Sequence, residues 1–170
     1  WSHHRLCLPK RKNIMKTICL YFEIHQITHL KRYRFFDIGT DHYYYDDYSN
    51  ERTIAYTAEH SYVPALSTLL EMIRQNPGYF KVAFSLSGVG MEQLEDHAPQ
   101  VISLLQELNE TGQVEFLTEP YSHGLAGLAN EESFKRDIEK MSAKIESYFG
   151  KRPTVMRNSS LIYTDEIGAQ

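Results

Sequence analysis

Four short apolar runs are each accompanied by polar side chains of the types that bind or transform polar ligands. These side chains are Glu23, His25 and Gln26 at the first run, Ser85 and Ser87 at the second, Glu115, Glu119, Tyr121 and His123 at the third, and Arg157, Asn158, Ser159 and Ser160 at the fourth. Carboxylates and imidazoles exchange protons and bind hydroxyl groups, and a guanidinium binds carboxylates through a planar fork of donors. If the four runs are parallel strands, their carboxyl ends meet at one edge, where ligands bind.

Each of these side chains also has a purely structural interpretation. A histidine that follows a strand, such as His25, more often serves as a structural hydrogen-bonding group than as a functional one. Glu115 lies inside the apolar run VEFL, where a carboxylate is costly to bury without a partner. Arg157 is a candidate partner for it. The prediction of a site therefore depends on the convergence of the whole group rather than on any one member.

The segments between the apolar runs have the spacing of long amphipathic helices. Strands are predicted at 17–24, 81–87, 114–117 and 153–158, and helices at 51–75, 91–110 and 131–149. Asn50 is predicted to cap the first helix, Pro99 to divide the second, and Thr164 to cap one more. Cys19 is predicted to be a small core residue within the first strand. Repeated strand–helix units predict a parallel α/β sheet or barrel with right-handed crossovers.

The connection from 25 to 50 is longer than most loops and unusually aromatic. It contains Tyr33, Phe35, Phe36, Tyr43, Tyr44, Tyr45 and Tyr48, with basic and acidic residues between them. Long loops of this kind are often functional. Aromatic rings beside carboxylates suit sugars, which stack their C–H faces and form hydrogen bonds at their rims. Alternatively, the loop packs its own aromatic rings over the end of the barrel.

Composition restricts the class of protein. The chain has 170 residues, a net charge of −4 and a pI near 6.1, which argues against the basic surface that nucleic-acid binding requires. No run approaches the length of a membrane span, and two cysteines are compatible with a reducing cytoplasm. Residues 1–14 are basic, carry no periodicity and are expected to form a disordered leader. Residues 15–170 are expected to form the folded domain.

Three segments, in order along the chain, resemble the conserved segments of the α-amylase-like members of glycoside hydrolase family 57. They are HQI at 25–27, GQVEFL at 112–117 followed by PYSHGLAGL, and RNSSLIYTDEIG at 157–168. The resemblance implies the N-terminal portion of a (β/α)7-type, TIM-like barrel and an α-glucan or related oligosaccharide as ligand, with no cofactor and no metal ion. It also implies a substrate-binding set composed of His25, Gln26, Glu115, His123, Arg157 and Asn158.

The sequence departs from the family pattern where catalysis would occur. Ile27 replaces the proline of the first segment, and Ser160 stands where the family has its nucleophilic Glu. The family's acid/base is an Asp on a later strand, beyond 170. A retaining glycosidase needs both carboxyl groups, so we expect a truncated and inactive domain.

Three alternatives stay open. An active family 57 enzyme would require that Ser160 is not the nucleophile position; Glu166 is the nearest carboxylate, although it is better explained as a helix-start residue. A metal-dependent carbohydrate deacetylase would need Asp and His ligands around an open coordination position, for which Asp41, His42, His25 and His29 are available. A non-catalytic glycan-binding module is the third.

Overall fold

The computed structural model describes residues 17–169, and these form one three-stranded parallel sheet with helices packed against it. The strands are β1 (Tyr21–Ile24), β2 (Val82–Leu86) and β3 (Val114–Leu117), in the order β1-β2-β3. The helices are α1 (Asp47–Thr57), α2 (Val63–Gln75), α3 (Gly88–His97), α4 (Pro99–Glu110), α5 (Glu131–Phe149) and α6 (Asp165–Ala169). The leader predicted at 1–14 lies outside the described residues.

Strand register separates an apolar face of the sheet from a polar one. Phe22, Phe84 and Phe116 are paired across the three strands, and Phe116 stacks on Phe149 of α5 with ring centroids 3.9 Å apart. Side chains alternate between the two faces of a strand, so the neighbouring positions point away from the helices. On that opposite face, Glu23 is paired with Ser85. The helices thus cover the apolar face and leave polar side chains on the other.

The first long helix has a different start from the predicted one. Asp46 is its N-cap and accepts the Ser49 N–H at 3.0 Å. Asn50, the predicted cap, is buried within the first turn, where its amide hydrogen-bonds to both backbone groups of His29. The prediction of Asn50 as cap was wrong because a tertiary contact claims its side chain, while Asp46 is an equally suitable capping residue.

A π-helical segment, Ala58–Tyr62, joins α1 to α2 within the predicted helix. Pro64 lies at the start of α2 and has no N–H to donate to the carbonyl four residues earlier. The Val63 N–H instead bonds to the Ala58 carbonyl, five residues back. The wider turn accommodates the proline without ending the helix.

The later helices lie at their predicted positions. Pro99 begins α4 after a break at Ala98, and α5 spans Glu131–Phe149. The left-handed backbone of Gly150 (φ 74°) closes α5. Thr164 caps α6, accepting the Ile167 N–H at 3.3 Å.

Two predictions about strands need correction. The predicted fourth strand at 153–158 forms only a single parallel bridge, between Thr118 and Met156. Thr118 donates its N–H to the Val155 carbonyl, and its own carbonyl accepts the Arg157 N–H. Pro153 has no N–H with which to extend this pairing. Cys19 is exposed rather than buried, because it precedes β1 and lies outside the sheet.

Candidate functional site

The carboxyl ends of the strands bring two carboxylates onto the polar face of the sheet. Glu23 lies on β1 beside Ser85 of β2, and Glu119 follows β3 by two residues. The Glu119 side chain has no exposed surface, and its Oε2 accepts a hydrogen bond from Ser85 Oγ at 2.8 Å. Ser85 Oγ also lies 2.5 Å from the Tyr21 hydroxyl. Neighbouring strands therefore fix the deeper carboxylate through a chain of hydroxyl groups.

Arg157 joins the two carboxylates. Its Nη1 donates to Glu23 Oε1 and lies 3.3 Å from Glu119 Oε2. The guanidinium is 10% exposed and Glu119 is not exposed, so this ion pair is buried. Removing either partner of a buried pair leaves an uncompensated charge, which makes Arg157 an obligatory part of the arrangement. The single bridge between Thr118 and Met156 places Arg157 at this edge.

Two histidines complete the cluster, which we call the Arg157 centre: Glu23, His25, Ser85, Glu119, His123 and Arg157. The Nδ1 atom of His123 lies 3.1 Å from Glu119 Oε1, and its Nε2 lies 3.6 Å from Glu23 Oε1. The His25 ring stacks on the His123 ring, with centroids 4.0 Å apart. Its Nδ1 lies 2.7 Å from Ser87 Oγ. Burial, followed by the adjacent His123, lowers the pKa of His25 below its usual value.

The structure brings together three of the predicted binding residues, His25, His123 and Arg157. Gln26 lies beside them and its backbone carbonyl accepts the side-chain N–H of Gln93 at 2.9 Å. Asn158 holds the following turn together through hydrogen bonds of its side chain to the backbone of Ser159 and Ile162.

Glu115 does not join the centre. It is exposed and lies four residues before Glu119, about 13 Å along an extended chain. The pairing predicted between Glu115 and Arg157 was wrong, because Glu23 and Glu119 are the partners of Arg157. Glu23 and Glu119 were both among the polar residues noted at the strand ends. Residues i and i+4 of an extended chain share a face, so Glu119 lies on the same face as Glu115. This shared face was the feature of the sequence that could have indicated Glu119.

Ser160 lies in a short 3-10 turn, Ser159–Leu161, directly after this edge. It is exposed, and its backbone is left-handed (φ 54°, ψ 22°), as is that of Leu161 (φ 55°). Left-handed backbone is unfavourable for residues other than glycine. Ser159, in contrast, is fully buried. The turn thus directs one serine into the protein and leaves the other accessible at the candidate nucleophile position.

The centre contains ligand types that a metal ion could use. Glu23, Glu119 and His123 each offer an atom within 4.8 Å of the others. However, the Arg157 guanidinium already supplies the positive charge between the two carboxylates. A divalent cation would have to share that position with a fixed like charge. The arrangement is better suited to hydrogen bonding with polar groups such as sugar hydroxyls.

Comparison with known proteins identifies the family. The model of glycosyl hydrolase family 57 matches residues 19–169. The chain belongs to glycosyl hydrolase family 57. A Methanocaldococcus jannaschii protein described as "Putative alpha-amylase" is 34% identical over 125 residues, which cover 73% of this chain and 26% of that protein. The family 57 chain therefore spans about a quarter of the length of this relative.

Solved structures agree in fold. The 4-α-glucanotransferase of Thermococcus litoralis matches 89% of this family 57 chain and 20% of its own, with a TM-score of 0.64 and 16% identity. The family 57 branching enzyme of Thermococcus kodakaraensis matches 83% of this chain and 32% of its own, with a TM-score of 0.55 and 16% identity. The predicted α/β fold class is confirmed. Within 17–169, no helix is long and apolar enough to cross a membrane.

Proposed function

We propose that this family 57 chain carries an α-glucan-binding centre that does not hydrolyse its ligand. The observation that carries the proposal is the Arg157 centre, a group of two carboxylates, one guanidinium and two imidazoles at the carboxyl ends of the strands. Glu23 and His123 remain partly accessible, with 31% and 18% of their side chains exposed. Sugar hydroxyls both donate and accept hydrogen bonds, and this group offers fixed acceptors and donors together. The family relationship supports a glucan as the ligand.

The rigidity of the centre favours binding. Glu119 is held by Ser85, His123 and Arg157, and His25 is held by Ser87 and by stacking on His123. Groups that are already oriented lose little conformational freedom when a ligand arrives. A glucan ring would contact the accessible rim formed by Glu23 and His123. Glu119 would act beneath them as a positioning residue.

The absence of hydrolysis is proposed from the chemistry of Ser160. Retaining glycosidases place a nucleophilic carboxylate about 5–5.5 Å from an acid/base carboxyl group. A serine hydroxyl at that position is not ionised near neutral pH, and the described residues place no base within hydrogen-bonding reach of it. Glu166 is not a convincing replacement. A hydrogen bond from its own backbone N–H, followed by one from the Thr164 side chain, lowers the pKa of Glu166, as is typical of a carboxylate at a helix start.

Restoring the carboxylate tests this proposal. In a full-length protein, Ser160→Glu should release sugars from a labelled maltooligosaccharide, whereas the wild type and the uncharged control Ser160→Gln should not. Maltooligosaccharide binding by the wild type should persist and should be lost in His123→Ala. Hydrolysis by the wild type that survives Ser160→Ala would overturn the non-hydrolytic assignment and support an active enzyme with another nucleophile.

A further inference from the structure

A groove along α1 has the features of a second carbohydrate-binding surface. We propose that this groove, formed by His29, Tyr48, Ser49, Arg52, Thr53 and Tyr56, binds a segment of an α-glucan outside the Arg157 centre. We call it the α1 groove. The class of ligand rests on the proposed function, but the groove itself is defined by separate residues. The groove is open rather than enclosed, which suits one segment of a longer chain.

The aromatic residues of the α1 groove lie on one face of the helix. Tyr48, Arg52 and Tyr56 are spaced four residues apart, which places them in one row. Tyr48 is 72% exposed and Tyr56 is 64% exposed. Eight residues of α-helix separate the two rings by about 12 Å along the axis. That separation suits two non-adjacent rings of one oligosaccharide, with the Arg52 donors between them.

One of the two tyrosines is held in place before any ligand binds. The Tyr56 ring stacks on the His60 ring, with centroids 4.1 Å apart and an interplanar angle of 19°. The Nδ1 atom of His60 donates to the Tyr56 carbonyl at 3.0 Å, which fixes the imidazole. An exposed aromatic ring with a fixed orientation offers contact area at a small entropy cost. This arrangement favours a stacking ligand over solvent.

His29 supplies an independent indication of a polar ligand. It lines the α1 groove, and its Nε2 atom is buried without a hydrogen-bond partner among the described residues. Asn50 fixes the backbone of His29, accepting its N–H at 2.6 Å and donating to its carbonyl at 3.3 Å. A buried polar atom without a partner is uncommon and costs free energy. A sugar hydroxyl in the groove would satisfy it once the imidazole turns towards the groove, because Nε2 has no accessible surface in its present orientation.

The α1 groove is connected to the Arg157 centre through one segment of chain. His29 follows His25 by four residues, on the connection that leaves β1. Four residues of extended chain span at most about 14 Å, so we infer that one polymer reaches both places, which raises its apparent affinity without any new contact at either. We therefore expect the groove to matter more for long glucans than for short ones.

The experiment compares variants of the full chain. Soluble starch is the long ligand, followed by retardation in native gels, and maltoheptaose is the short ligand, followed by titration calorimetry. Tyr48→Ala/Tyr56→Ala should weaken starch binding about tenfold or more, from the loss of two stacking contacts. Tyr79→Ala is the matched control, because Tyr79 is 96% exposed and lies outside the groove. Unchanged melting temperatures should show that both variants fold.

The outcomes separate the groove from the centre. Loss of starch binding in the double tyrosine variant but not in Tyr79→Ala supports the groove. If the double variant binds like the wild type while His123→Ala does not, the groove is refuted and the Arg157 centre stands. If His123→Ala binds normally while the double variant fails, the centre is refuted instead. A shift of the His29 ring signals in NMR on addition of maltoheptaose is expected, and its absence at saturation would also refute the groove.

Discussion

Replacing Arg157 by methionine removes the guanidinium that joins Glu23 and Glu119. Methionine keeps much of the side-chain volume, including packing near Tyr21, whose ring lies 5.8 Å from the guanidinium carbon. Glu119 would remain fully buried, with Ser85 and His123 as its remaining partners. Glu23 can turn towards solvent, since 31% of its side chain is already exposed. The loss of stability should therefore come mainly from the unpaired, buried charge of Glu119.

The expected loss in the free energy of unfolding follows from this difference in exposure between Glu119 and Glu23. Breaking a buried ion pair by removing one partner costs about 3–5 kcal/mol. The two remaining partners of Glu119 place Arg157→Met at the lower end, about 3 kcal/mol. That is a large share of the ~5–15 kcal/mol by which ordinary domains are stable. Adding Glu119→Gln removes the stranded charge, so the double variant should recover part of the loss.

Urea denaturation measures these changes as free energies of unfolding. Arg152→Met is the matched control, because Arg152 also joins two carboxylates, Glu139 at 2.5 Å and Glu146 at 3.2 Å, but on the surface. Its side chain is 45% exposed and solvent screens both of its ion pairs, so its loss should cost much less stability than the loss of Arg157. If Arg157→Met costs no more than Arg152→Met, or if Glu119→Gln brings no recovery, the argument for a buried ion pair between Arg157 and Glu119 is wrong.

Three further changes test separate parts of the structure. Gly88→Ala would place a Cβ in steric conflict with the Tyr121 ring and should lower the free energy of unfolding by about 1–3 kcal/mol in chemical denaturation. Gly124→Ala, with 3.4 Å to its nearest neighbour, should cost little, and equal effects would contradict the packing. The pKa of His25 is lower in the folded protein than in the unfolded chain, so the unfolded chain binds more protons. The stability that His25 contributes is therefore present above pH 6.5 and is lost as the pH falls below that value. His25→Gln should flatten this dependence of the free energy of unfolding on pH, and an unchanged dependence would exclude His25 as its source. Ser160→Gly should raise the free energy of unfolding by about 0.5 kcal/mol by relieving a positive φ, and a loss of stability would contradict the strained turn.

Helices and strands with strong periodicity were predictable from sequence. The bounds of α5, the break at Pro99 and the positions of β2 and β3 follow from apolar spacing and from proline and glycine chemistry. The start of α1 was not predictable, because two suitable capping residues lie four positions apart. A contact with His29 decided between them.

The candidate site was only partly predictable. The segment 153–158 has the composition of a strand, yet proline and the end of the β3 ladder reduce it to one bridge. That bridge still places Arg157 beside the strand ends. Glu115 and Glu119 both suit a carboxylate site by residue type and parity. Only their positions along the strand direction distinguish Glu115 from Glu119. Which of these positions reaches the site depends on where β3 ends relative to its neighbouring strands.

The sequence by itself determined the family, the alternation of strands and helices, and the presence of histidines, carboxylates and an arginine near strand ends. Local periodicity and short motifs carry that information because they depend on neighbours in the chain. The pairing of Arg157 with Glu23 and Glu119, and the convergence of His29 with the α1 tyrosines, were decided by the tertiary structure alone. These partners are separated by up to 134 residues, and the register of the parallel strands and the packing of α1 set which of them meet.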